Sequence, residues 1–405
     1  MRHDAGGWQE LGRGWSVVLA AFIGIAFGIS AIYFYTTGFF IKPLQAEFGW
    51  SRTEVSLAMI GGTIATAVAS PLVGALVDRI GARLVGCISL LCLSLGFLAL
   101  SRLGPSIWAF ALLSLLISMG GSGTSPVTFT RMIAARFSRA RGIALGLALS
   151  GTGVAGALVP RLFGPYIETA GWRAGYQVLF LAVLIAAPIV WVLGRRNDSD
   201  RTGAAAPGLS FSAVVASSLF RRLAIAFVAT ALAIGGFIVH LVPLLTDAGF
   251  SVATAGQVAM TVGVFVIVGR LGCGYALDRL PASLVALGIF GAAALGCLLL
   301  ATVGVDFAYV AAAMVGLALG AEVDLIGYIT ARQFGLKAYG AVYGLLYSTF
   351  LIGMAFSPLL YASSFDLLGS YRAALYAASA LLTLAVLLLS RMPQPVVFDA
   401  DAPDR

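Results

Sequence analysis

Apolar residues run through this sequence in long, nearly unbroken stretches, and short polar segments between them carry most of the charge. Twelve stretches stand out, at about residues 15–39, 53–77, 84–102, 106–130, 142–165, 173–194, 222–246, 252–277, 283–303, 306–331, 340–363 and 371–391. A helix needs about 20 apolar residues to cross the hydrocarbon core of a bilayer, and these stretches reach that length. A membrane barrel would show segments of about ten residues alternating apolar and polar. These runs are too long and do not alternate. The pattern predicts an all-α membrane protein with twelve transmembrane helices. The first stretch is too long for a signal-peptide core and has no small-residue cleavage site, so it is expected to be retained.

Composition strengthens this reading. Hydrophobic residues make up 60% of the chain and charged residues 10%, against about 45–50% and about 25% in soluble domains. Nothing would cover the outside of a water-soluble fold. An ordinary cytosolic enzyme, a disordered chain and a nucleic-acid-binding domain are excluded. The formal charge of +8 reflects cytoplasmic loops, where Lys and Arg collect in membrane proteins. With the N-terminus placed inside, eighteen of the 25 basic residues fall on the cytoplasmic side. Lys42, Arg52, Arg102, Arg161, Arg173 and Arg372 fall outside, and Arg270 lies within a span. Both termini are therefore expected in the cytoplasm. Cys87, Cys92, Cys273 and Cys297 lie in apolar stretches without metal-ligand spacing and are expected to act as small hydrophobes.

The chain also contains itself twice. The segment Gly74-Ala-Leu-Val-Asp78-Arg79-Ile-Gly-Ala82 returns 200 residues later as Gly274-Tyr-Ala-Leu-Asp278-Arg279-Leu-Pro-Ala282. Gly142 and Gly146 find a weaker echo in Gly340 and Gly344. Parallel six-helix repeats are a mark of transporters that rock about a site between their halves. The expected organisation is an N-terminal six-helix bundle (1–194), a cytoplasmic linker (195–221), and a C-terminal six-helix bundle (222–405) ending in a short cytoplasmic tail. Within the linker, Leu209 to Phe220 is a candidate for lying along the membrane surface.

At this point the residues resemble a family. The run Gly74-x-x-x-Asp78-Arg79-x-Gly81-x-Arg83, with its half-copy, is similar to the signature of the major facilitator superfamily. That resemblance covers essentially the whole chain and implies two pseudo-symmetric six-helix bundles. It also implies that Asp78, Arg79, Arg83, Asp278 and Arg279 form ionic latches between helix ends. These latches would break when the cytoplasmic side opens. Phe137-x-Arg139-x-Arg141-x-Ile143-Ala144-x-Gly146-x-Ala148-x-Ser150-Gly151 is similar to the fifth-helix signature of the monocarboxylate-porter family, which includes the oxalate/formate antiporter branch. Arg139 and Arg141 would anchor its cytoplasmic end.

An ionisable group at membrane depth costs at least about 2.5–3.5 kcal/mol, so each one asks for a function. Arg270 lies eight residues before Asp278, about 12 Å inside the helix end. In the resembled family an arginine at this place binds the substrate carboxylate. A guanidinium suits that task because it stays charged and offers a two-pronged donor. Two departures follow. Leu346 stands where the oxalate/formate branch carries a lysine, which argues against a small dicarboxylate. Tyr35 and Val266 stand where the animal porters carry a lysine and an acid, so their proton route does not transfer. Glu322 and Asp324 in the tenth span are the replacement candidates. Side chains two apart on a helix diverge by about 200°, so the two acids cannot share one cavity face. One of them is expected to carry the coupled proton, with Arg131 or Arg270 as its ionic partner. The competing reading is a static ion pair.

Arg131 is a second anion contact, a gate partner or an end anchor. His240 is a proton relay or a packed histidine. Tyr35, Tyr328, Tyr343 and Tyr347 are candidates for an aromatic, hydrogen-bonding pocket. No phosphate-cradling loop, zinc motif or catalytic triad is evident, so neither an enzyme nor a cofactor or metal is expected. The expected function is alternating-access transport of a small organic monocarboxylate, aromatic or branched, across the inner membrane with proton symport. The expected partners are the organic anion, protons and lipid, without nucleic acid, and the protein is expected to be a monomer. Two rivals stay open: proton-coupled efflux of amphipathic drugs or metabolites, and a transporter-like receptor that binds without transport.

Overall fold

The computed structural model describes residues 2–194 and 206–393. The described residues are almost wholly helical, and twelve helices or helix pairs are long and apolar enough to cross a membrane. The first half runs α1 (Arg2–Ala26), a π-turn (Ile29–Tyr33), α2 (Phe34–Phe48), α3 (Arg52–Ile80), α4 (Ala82–Ser101), α5 (Ile107–Gly121), a 3-10 turn (Ser122–Thr124), α6 (Pro126–Arg136), α7 (Arg141–Ala170) and α8 (Trp172–Leu193). The second half runs α9 (Phe211–Ala216), α10 (Ser218–Asp247), α11 (Val252–Leu277), α12 (Ala282–Thr302), α13 (Ala308–Phe334), α14 (Tyr339–Leu368) and α15 (Arg372–Ser390).

The polar residues that interrupt the hydropathy pattern are the ones that start the helices. Ser51, Ser106, Ser210, Ser217 and Ser251 each accept a backbone N–H of the first turn, satisfying a donor that has no intrahelical partner. At α3 the cap is reciprocal. The Ser51 hydroxyl accepts from the Glu54 N–H while the Glu54 carboxylate accepts from the Ser51 N–H. These hydrogen bonds hold the Glu54 carboxyl below the ordinary glutamate range.

Two expected spans are not continuous. The first extends from Arg2 to Phe48 and breaks at Phe27–Gly28, where the π-turn begins. The fourth breaks at Ser122–Ser125, with Pro126 opening α6. The breaks meet: the Ile29 N–H donates to Thr124 Oγ1 at 2.8 Å, and a Cβ on Gly28 would sit 2.5 Å from the Thr124 carbonyl oxygen. Hydropathy alone could not show these interruptions, because Gly, Ser and Thr are tolerated in a membrane helix.

The chain separates into two compact units. One comprises the described residues up to Gly208 together with Gly335–Leu345, so it includes the start of α14. Its core holds an aromatic series in which Phe40 and Tyr176 stack at 3.7 Å, with Phe97 and Trp172 against Tyr176. The other unit comprises Leu209–Phe334 and the described residues from Leu346 on. There α10 and α14 are stitched by side chains. Ser357 accepts the Gly236 N–H at 2.5 Å and donates to the Leu232 carbonyl, and the Tyr361 hydroxyl donates to the Ala233 carbonyl at 2.9 Å. Ser357 thus occupies the turn whose donor and acceptor the helical pattern would pair.

Residues 195–205 of the expected linker, and the tail beyond 393, lie outside the described residues. In the described part, Gly208 forms an antiparallel bridge with Gly335, and the Leu336 N–H donates to the Pro207 carbonyl at 2.8 Å. The proposed surface segment contains the six-residue helix α9, with Leu209 and Phe211 exposed.

Candidate functional site

Buried ionisable groups gather in two places, one in each unit. In the first unit the centre is Asp78, near the end of α3 and 8% exposed. Arg131 of α6 approaches it, with Nε 3.3 Å from Oδ1. The same carboxylate accepts the Gly340 N–H on Oδ1 and the Ala341 N–H on Oδ2, each at 3.0 Å. Asp78 therefore caps α14 by its side chain, placing negative charge at the positive end of a helix. Sequence made this approach possible. A Cβ on Gly74 would lie 1.9 Å from the Gly340 carbonyl oxygen, and one on Gly340 would lie 2.3 Å from that of Gly74. Only glycine at both positions lets the two backbones touch.

The other bases of the paired loops take separate tasks. The Arg83 guanidinium lies 3.6 Å over the Trp191 ring, and that of Arg279 lies 3.6 Å over Tyr275. Arg79 is exposed. Asp278 closes α11 as its C-cap. The two copies turn differently: Gly81 adopts φ 91° between α3 and α4, whereas Pro281 stands at φ −56° before α12. Arg141 donates to the carbonyls of Phe137 and Ala134, at 2.8 and 3.1 Å, and so satisfies the last turn of α6. Arg139 is exposed and its guanidinium lies against Gly6.

In the second unit, Arg270 of α11 donates from its NH1 to Asp324 Oδ2 of α13 at 3.0 Å. Their side chains are 9% and 0% exposed. Among the described residues the Arg270 Nε has no hydrogen-bond partner. The pairing left open by the sequence is resolved: Arg270 takes Asp324, and Arg131 takes Asp78. Gly320 permits the contact, since a Cβ there would lie 2.2 Å from the Val266 carbonyl oxygen. The second acid, Glu322, points elsewhere, as the helical geometry required. Its Oε1 meets the Thr230 hydroxyl of α10, and the residue is wholly buried.

His240 is packed. Its Nε2 lies 3.2 Å from the Pro358 carbonyl, and its ring stacks on Tyr361 beside Tyr371. Burial, followed by the nearby Asp247 and Asp366, raises the Tyr371 hydroxyl above the ordinary tyrosine range. The four candidate pocket tyrosines are distributed. Tyr35 packs over Gly156, and Tyr343 stacks on Tyr339, in the first unit. Tyr328 lies beneath the Arg332 guanidinium, and Tyr347 stacks on Phe350, in the second.

Two participants escaped the sequence reading. Thr230 is a lone hydroxyl in the apolar run of α10, a weak signal that its polar partner lies on another helix. Glu10 of α1 accepts the N–H groups of Ser138, Arg139 and Ala140, at 3.0, 3.0 and 2.9 Å, ahead of α7. Its position in a charged N-terminal segment offered no hint of this. No cluster of metal-ligating side chains occurs among the described residues.

The profile of the Major Facilitator Superfamily matches residues 23–358. Monocarboxylate transporter 11 of Mus musculus is 28% identical, over 96% of this chain and 88% of its own length. Monocarboxylate transporter 13 of Rattus norvegicus is 28% identical over 68% of this chain, and the match spans 63% of the rat protein. Among solved structures, the proton:xylose symporter XylE bound to 6-bromo-6-deoxy-D-glucose is similar in fold, with a TM-score of 0.73. Its identity is 12%, and the match covers 94% of this chain and 96% of that one.

Proposed function

From the premise that this chain belongs to the Major Facilitator Superfamily, we propose that it is a secondary transporter of a small organic monocarboxylate. The observation that carries the reading is the buried Arg270–Asp324 pair. A guanidinium kept in the interior on one carboxylate is already arranged to receive another. Its free Nε edge leaves a second donor for a bidentate contact. The relatives named as monocarboxylate transporters support an acid as the cargo.

Proton symport follows from charge. A substrate carboxylate that engages the Nε edge and draws the guanidinium off Asp324 leaves that acid buried without its cation, a state costing several kcal/mol per ion. A proton on Asp324 removes that charge, so uptake of the acid and of the proton occur together. Tyr328 and Tyr347, in the unit that holds Arg270, are proposed as further substrate contacts, and Tyr35, Tyr343 and Arg131 are kept as substrate-contact candidates within their own unit. His240 is the weakest proton candidate, because its packing already accounts for it. Asp78, with Arg79, Arg83, Arg139, Arg141, Asp278 and Arg279, is assigned to gating. In this reading both termini lie in the cytoplasm, each half of the chain forms a six-helix bundle, and the protein works as a monomer in the inner membrane.

The test is uptake of labelled pyruvate, a branched 2-oxo acid and benzoate into proteoliposomes, with and without an imposed pH gradient. Gradient-dependent accumulation of at least one acid is expected, with loss of carboxylate affinity in Arg270→Ala. Unchanged affinity in that variant would overturn the assignment of Arg270.

A further inference from the structure

Glu322 and Asp324 are two residues apart, both wholly buried, and both in α13. Their surroundings differ in kind. Asp324 faces a cation, Arg270. Glu322 faces a hydroxyl, Thr230 Oγ1, and its second oxygen, Oε2, has no hydrogen-bond partner among the described residues. Cys273 of α11 lies beside Arg270 and Asp324 and carries no positive charge.

A count of protons separates the two acids. The Thr230 hydroxyl has one proton and two neighbours that can accept it: Glu322 Oε1, and the Phe227 carbonyl at 3.0 Å. If Glu322 were ionised, Thr230 would donate to it. A full negative charge would then sit in the interior on a single neutral hydrogen bond, with no cation within 4.0 Å among the described residues. Buried charge is tolerated only when it is paired. If Glu322 is protonated, its O–H donates to Thr230, and Thr230 donates on to Phe227. Every proton then has an acceptor, no charge is stranded, and the bonds run in one direction and reinforce one another.

We infer that Glu322 is held as a neutral carboxylic acid that donates a hydrogen bond to Thr230 and fixes α13 against α10, leaving Asp324 as the acid of this pair that exchanges its proton. Glu322 is a positioning residue. This deepens the transport reading by assigning different roles to two acids that sequence alone leaves equivalent. The assignment of a neutral Glu322 does not depend on what is carried.

The experiment reads protonation directly. Infrared spectra of the full chain in lipid bilayers at neutral pH should contain the carbonyl stretch of a neutral carboxylic acid. Glu322→Gln should abolish that band. Its amide can still donate to Thr230, so the variant is expected to fold. Asp324→Asn should retain the band, and Thr230→Val should shift it, because the O–H loses its acceptor. A merely structural contact between an ionised Glu322 and Thr230 would give no such band. Absence of the band in the unsubstituted protein, or its survival in Glu322→Gln, overturns the inference. So does its loss in Asp324→Asn alone. No substrate is needed for these measurements, so failure of monocarboxylate uptake and failure of this assignment are separately visible.

Discussion

Arg270 and Asp324 are joined at 3.0 Å across two helices, with less than a tenth of either side chain exposed. Removing one member of such a pair strands the other, at a cost of about 3–5 kcal/mol. Arg270→Ala and Asp324→Ala should each lower the melting temperature of the purified protein well below that of the parent. Replacing both at once, with Met at 270 and Leu at 324, should restore much of the loss, because neither charge is then left alone. A double variant as unstable as the sum of the singles would show that the pair is not the reason for its own burial.

Asp78 has a different structural effect, since it serves a helix end as well as a base. Its carboxylate accepts from the Gly340 and Ala341 N–H groups while Arg131 approaches one of its oxygens. Loss of a side-chain cap costs about 0.5–2 kcal/mol, and here a buried guanidinium is stranded as well. In Asp78→Ala the amide protons of Gly340 and Ala341 should exchange faster by at least about tenfold, the equivalent of about 1.4 kcal/mol. Exchange far along α14, at Phe350 for example, should change little. Uniform loss of protection along α14 would point instead to global destabilisation.

The value of the sequence as a guide differed between these two places. That Asp78 lies near a helix end was legible, because its loop recurs 200 residues later and resembles a known signature. What it caps was not legible, because Gly74 and Gly340 are far apart in sequence and their contact depends on two missing side chains. For Arg270, its isolation in a long apolar run was legible, while two acids and two bases were left without partners. Angular divergence on a helix showed that Glu322 and Asp324 must separate, but their partners, Thr230 and Arg270, lie on other helices that spacing along α13 cannot identify. The twelve spans were evident from hydropathy. The breaks at Gly28 and Ser125 were hidden, because small hydroxyl residues satisfy a broken backbone as quietly as they decorate a continuous one.

The Ser51–Glu54 cap gives a pH effect of definite sign. Donation from the Ser51 N–H and O–H, each at 2.8 Å, favours the ionised carboxylate and depresses its pKa. A group with a depressed folded pKa stabilises above its unfolded value, and that contribution disappears as pH falls through the folded value. The first turn of α3 should therefore be fully capped at neutral pH and fray in acid, below the ordinary glutamate range. Glu54→Gln should remove the dependence. Amide exchange at Ser51 and Val55 measured across that interval, and corrected for intrinsic rates, reads the effect. Equal acid sensitivity in the Gln variant would rule Glu54 out as its source.

Glu10 supplies the cap that α7 lacks in its own sequence. Ala140, the residue before that helix, has no capping side chain, and the carboxylate that meets the Ser138, Arg139 and Ala140 N–H groups comes from α1. The signature segment that begins at Phe137 is thus held by the N-terminal helix. A glycine at 14 lets Phe137 pack against that helix, since a Cβ there would lie 2.4 Å from the ring. Glu10→Ala should cost about 1–2 kcal/mol, the upper range for a lost N-cap. It should release the amides of residues 138–140 to faster exchange. Glu10→Gln keeps one acceptor oxygen but loses the charge that a helix N-terminus favours, so an intermediate effect is expected. If both variants exchange like the parent at these three amides, the carboxylate does not hold the start of α7.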